Sequence, residues 1–164
     1  MESTITQWRW TTNSESENAE QGAQITELSL FHNRDFDNPN AQLFLERLPA
    51  GLNVSDHGIV APGIAIIAFD NVSARDVCAA AEINSAGAVI LVECAPPEEL
   101  QPPDCPVLLV SGRQSSQITH EQQVAAFERL SHGRIVELES CGDDPIAEQP
   151  EQLAETVRWF LSTL

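Results

Sequence analysis

Three stretches of this chain are apolar at almost every position: GIAIIAF at 63–69, AVILVE at 88–93 and PVLLVSG at 106–112. Runs this short, without polar alternation, suit strands buried on both faces of a parallel sheet. Two further runs, ITELSLFH at 25–32 and RIVELE at 134–139, are strand-like with polar interruptions, and 52–62 holds one short extended segment. Residues 4–11 alternate as an edge strand does, with Trp8 and Trp10 on one face, and the acidic stretch 11–22 reads as a flexible loop. Between the strands a helical spacing recurs. Asn38 and Pro39 supply an N-cap and a first-turn proline, Ala41, Phe44, Leu45 and Leu48 share the face that follows, and Gly51 ends it. Ser73 and Asp76 make a capping-box-like start to a second helix, which Gly87 terminates. Thr119 and Gln122 repeat the pattern for a third, with Val124, Phe127 and Leu130 inward. Pro150 opens a terminal helix whose Leu153, Val157, Phe160, Leu161 and Leu164 form one stripe. Strands alternating with helices predict an α/β fold. The expected form is a three-layer α/β/α sandwich around a mostly parallel sheet, as a single domain over 1–164.

Composition narrows the partners. The chain has 164 residues and a formal net charge of −17, from 25 acidic and 8 basic side chains, and every basic one is Arg. Such a field repels phosphate backbones and anionic lipid, so neither nucleic acid nor membrane is expected as a partner. The charge is read first as keeping the protein soluble, with a docking face for a basic partner as the alternative. Cys78, Cys94, Cys105 and Cys141 show no C-x-x-C pair, which argues against zinc and for reduced thiols in a cytoplasmic protein. MESTITQWRW lacks the basic-then-apolar form of a signal peptide. The glycines are dispersed and no phosphate-loop string occurs, so no cofactor is expected.

The segment from Cys105 to Leu164, reading PVLLVSGRQSSQIT, then RIVELES, then CGDDPIAEQPEQLAETVRWFL, resembles the last third of an α/β-hydrolase. Upstream, GIAIIAFDNVSARDVCAAA takes the place of the nucleophile elbow and SLFHN that of the oxyanion turn. No lid domain fits between AVILVE and PVLLVSG. The resemblance implies an α/β-hydrolase-like fold and a nucleophile–acid–histidine triad, and the matching positions depart from that triad. Asp70 falls at the nucleophile, between Ala68 and Val72, where the tight turn needs small residues. An Asp nucleophile occurs in the dehalogenase and epoxide hydrolase branch. The acid falls on Gln114 or Ser115, and the histidine on Asp143. A carboxylate does not take up and return a proton near neutral pH as an imidazole does. Asn33 stands for the glycine of the oxyanion turn. The resemblance therefore implies a pseudoenzyme, acting through a protein partner or as a homodimer.

Other groupings leave a second reading open. His32, at a strand end, pairs with Asp70 as a replacement acid and base, giving a small hydrolase. His57 reads as a turn residue, His120 as an exposed first-turn residue, and His132 as a helix C-terminal one. Asp35, Asp37, Asp143 and Asp144 do not have calcium-loop spacing, and no metal is expected. Trp8, Trp10 and Trp159 are candidate contacts for a partner or a second copy. An unrelated doubly wound fold, flavodoxin-like or swivelling, would mimic the ending by chance. Strand order separates it from the hydrolase plan, which sets AVILVE between the elbow strand and PVLLVSG.

Overall fold

The apolar runs do form the centre of a sheet. A computed structural model describes residues 24–31, 36–56 and 60–164. Within them six strands appear: β1 (Glu27–Phe31), β2 (Asn53–Ser55), β3 (Ile64–Ala68), β4 (Ala88–Val92), β5 (Val107–Gly112) and β6 (Gly133–Leu138). They lie in the order β2-β1-β3-β4-β5-β6, with every neighbouring pair parallel. β4 is buried at all five positions and β5 at all six, which is why their sequences lack alternation.

Helices cover both faces. On one side α1 (Pro39–Glu46) and α5 (Pro150–Ser162) set Phe44, Leu153, Val157 and Phe160 against Leu28, Ile67, Ile90 and Leu108. On the other, α2 (Asn71–Asn84) and α3 (His120–Glu128) set Val77, Cys78 and Ala126 against Ile66, Leu91 and Leu109. A short α4 (Pro145–Glu148) precedes α5. Among the described residues, no helix is long and apolar enough to cross a membrane.

Local chemistry corrects three details. The second helix starts three residues earlier than its capping-box pattern implies: Asp70, not Ser73, is the N-cap, and it accepts the Ser73 N–H. Ser85, at φ 54°, closes that helix in the left-handed conformation, ahead of Gly87. Gly87 serves a different need: a Cβ there would come within 2.6 Å of Ile25 Cδ1. On α3 the buried positions are Gln123 and Ala126, and Val124 is only half-buried. The Thr119–Gln122 capping box forms as expected, with both of its bonds present.

The edge segment 4–11 with Trp8 and Trp10, the loop 11–22, and His32, Asn33, Asp35 and His57 lie outside the described residues.

Candidate functional site

Parallel strands deliver their C-terminal ends to one rim, so the segments after β3, β4, β5 and β6 converge there. Those after β3, β4 and β6 enclose an open cavity of about 460 Å³. Phe69, Val72, Val92 and Pro145 supply its apolar wall, and Asp70, Glu93, Asp143 and Asp144 its polar one. Among the described residues, no histidine or cation lines it.

Asp70 leaves β3 in extended backbone, φ −156° and ψ 162°. A nucleophile elbow holds its residue on a sharp, strained strand-to-helix turn; Asp70 is instead an unstrained helix cap. Its Oδ1 accepts the Ser73 N–H at 2.8 Å and its Oδ2 accepts the Ser73 hydroxyl at 2.8 Å. Val72, two residues on, is 72% exposed at the cavity wall.

The positions read as degenerate acid and base do meet. Gly112 ends β5 against the loop after β6, where a Cβ would lie 2.1 Å from Gly142 O and 2.4 Å from Cys141 O. That approach lets Gln114 N–H donate to Cys141 O at 2.9 Å, and it brings Asp143 over the 115–117 turn. Asp143 Oδ2 accepts the Ser116 hydroxyl at 2.7 Å; Oδ1 accepts the N–H groups of Ser116 and Gln117 and lies 3.2 Å from Ser115 Oγ. These donors, the Ser116 hydroxyl first and its N–H next, hold the Asp143 carboxyl below its usual range. Carboxylate–hydroxyl contacts thus tie the turn after β5 to the loop after β6.

Glu93 is the site residue that the pattern of the sequence concealed. It follows β4 at φ 56°, a left-handed backbone rarely adopted by a side-chain-bearing residue, and is 7% exposed. Its carboxyl accepts the Gly112 N–H and contacts the Ser115 hydroxyl. Burial pushes its pKa up; the Ser115 and Gly112 bonds oppose that rise, while the Asp143 and Glu148 charges add to it. The available signal was one acid closing an otherwise apolar run at a strand's C-terminal end.

The remaining candidates lie elsewhere. Trp159 is half-buried on α5, with the Arg134 guanidinium 5.1 Å above its ring. His120 Nδ1 lies 2.7 Å from Glu137 Oε1 at the start of α3, and His132 is exposed. The four cysteines are unpaired, and burial raises the Cys78 thiol to about 11 and those of Cys105 and Cys141 to about 12. No group of three metal-ligand side chains forms among the described residues. A second hollow of about 550 Å³, between α2, α3 and the 95–100 loop, contains Arg129. That guanidinium is occupied by the carbonyls of Pro96, Pro97, Glu98 and Leu100.

Comparison with known proteins agrees with this plan. Residues 92–164 match the model of the Ndr family, an α/β-hydrolase-fold family. No curated protein matches the chain. Among solved structures, the predicted CIB-like hydrolase from Thermoplasma acidophilum is 16% identical, with a TM-score of 0.67 over 87% of this chain and 88% of that one. Est1E from Butyrivibrio proteoclasticus is 13% identical, with a TM-score of 0.65 over 87% and 89%. XC6422 from Xanthomonas campestris, described as an α/β serine hydrolase without lid, is 11% identical, with a TM-score of 0.62 over 88% and 84%. The strand order is one that flavodoxin-like sheets share, and it is the match to these structures over more than 80% of each chain that gives this chain the α/β-hydrolase fold, with six parallel strands among the described residues and no helix or strand between β4 and β5.

Proposed function

We propose that this chain is a non-catalytic α/β-hydrolase-fold domain that works by binding, to a protein partner or to a second copy of itself. One observation carries the reading: the Asp143 carboxylate, which the resemblance aligns with the family's histidine, is engaged by the Ser115–Gln117 turn. A carboxylate held below its ordinary pKa is a poor proton acceptor near neutral pH. Asp70 adds support, because both of its oxygens serve the cap of α2. The net charge of −17 favours a partner with a basic surface. Unpaired cysteines with raised thiol pKa values support a reducing, cytoplasmic setting.

A second reading, a small hydrolase using Asp70 with His32, draws on the open cavity beside Asp70 and on structural relatives named as hydrolases. The deciding experiment is ester hydrolysis by the full chain and by Asp70→Asn, using p-nitrophenyl acetate and butyrate. On the binding reading, both proteins match the buffer rate. Turnover by the natural chain that Asp70→Asn abolishes, with its melting temperature unchanged, would establish the hydrolase instead.

A further inference from the structure

One hydroxyl joins the segments at the cavity mouth, and it has too few protons for the contacts it makes. Ser115 Oγ accepts the Gln117 N–H at 3.1 Å, and the Ile118 N–H shares that side of the oxygen at a longer 3.4 Å, which leaves one lone pair for a further donor. It also contacts Glu93 Oε2 and lies 3.2 Å from Asp143 Oδ1. A hydroxyl donates once, and an ionised carboxylate only accepts. Two ionised carboxylates would therefore leave one of these contacts without a hydrogen, in a site already crowded with negative charge.

The missing proton has one place to sit. Asp143 is bonded throughout by donors, which favour its ionised form: the Ser116 hydroxyl and the N–H groups of Ser116 and Gln117. Glu93 has a single N–H, that of Gly112, on Oε1. Its Oε2 is turned to Ser115, and the residue is nearly sealed from solvent. Among the described residues, the titratable groups that face Glu93 are acids and thiols. Asp143, Glu148 and Cys141 approach from the segment after β6 and from α4, and Cys94 adjoins it. Asp70 and Asp144 share its cavity, and no described cation lines that cavity.

We propose that Glu93 is carried as a neutral carboxylic acid that donates to Ser115 Oγ, which donates in turn to Asp143 Oδ1, and that loss of this proton to solvent loosens residues 141–144 from the cavity mouth. The relay ties the end of β4 to the turn after β5 and to the loop after β6. When Glu93 ionises, Ser115 has one hydrogen for two anions, and their repulsion falls on the more exposed partner, the Asp143 loop. The left-handed backbone at Glu93 adds strain that those contacts hold in place. Burial, which raises the Glu93 pKa, acts in the same direction. The device does not require the domain to be non-catalytic.

The test follows the Glu93 carboxyl carbon by NMR in the full, ¹³C-labelled chain, assigned through bonds, together with the Ser116 and Gln117 amides. Glu93 is expected to titrate above an ordinary glutamate, and both amides to shift with the same midpoint, apart from the acid midpoint of Asp143. Because the folded chain holds the Glu93 proton more tightly than the unfolded one, the melting temperature falls as pH rises through that midpoint. E93Q keeps an N–H donor towards Ser115 and an acceptor for Gly112, so it loses both the amide shift and this fall. A Glu93 midpoint at or below the ordinary value would overturn the relay. So would amides that ignore the Glu93 titration, or an E93Q protein with the wild-type pH response.

Discussion

Gln123 has no exposed surface, and neither atom of its side-chain amide has a hydrogen-bond partner. It sits on the inner face of α3, where helical spacing favours Val124 instead. An unpartnered buried amide costs about 1–3 kcal/mol by mutational measures. Gln123→Met keeps the length of the side chain and removes both polar atoms, so it is expected to stabilise the chain by about 1 kcal/mol. Urea denaturation with an unchanged slope would register the gain, and a lower midpoint would show that the amide has a partner in solution. Asp70 illustrates the converse. Its residue type is what a nucleophile or a cap both require, and only its dihedral angles and the Ser73 bonds distinguish the two roles.

At the scale of elements, the site depends on how close β5 comes to the loop after β6. Gly112 permits that approach, since a Cβ there would meet the carbonyls of Gly142 and Cys141. The obstructing atoms are backbone, which cannot rotate aside. Gly112→Ala is therefore expected to destabilise the fold by about 1–3 kcal/mol, the usual range for overpacking. It should also break the Gln114–Cys141 bond and move the Ser116 and Gln117 amide resonances. Loss of stability with those resonances unmoved would place the strain elsewhere. Gly87→Ala provides a comparison site in the other half of the sheet, where the nearest obstruction is the flexible end of Ile25 and the backbone atoms, Gly63 N and Ile64 O, stand back at 3.2 Å.

Across the whole molecule, charge acts on both stability and association. A net charge of −17 on 164 residues makes the folded chain repel itself at low ionic strength. Raising sodium chloride from about 10 mM to about 150 mM shortens the screening length from about 30 Å to about 8 Å. The melting temperature is expected to rise over that interval, and a fall would show that native ion pairs outweigh the net repulsion. Most of the ion pairs seen, Arg47–Glu151, Arg75–Glu99 and Arg113–Glu139, are exposed and contribute little. The same screening distinguishes partners. A complex held by a basic surface weakens with salt, whereas self-association of this acidic chain strengthens.

Residue pattern by itself determined the layered α/β architecture. The 63–69, 88–93 and 106–112 runs lack the alternation of a half-exposed strand, with Glu93 and Ser111 as polar positions only near their ends, which marked them as central strands with helices on both sides. The ending after Cys105 likewise resembled the hydrolase plan and aligned Gln114 or Ser115 with its acid and Asp143 with its histidine, while the upstream stretch aligned Asp70 with its nucleophile. Tertiary structure alone decided what those residues do. Whether Asp70 caps a helix or sits on a strained turn depends on backbone angles that sequence does not encode locally. Glu93 looked like the polar end of a strand. It became a site residue because parallel strands bring residues 93, 112, 115 and 143 together across gaps in the chain. Local pattern reports which face a residue presents; it cannot report which distant carboxylate will share its hydroxyl, because that is fixed only when the sheet closes the rim.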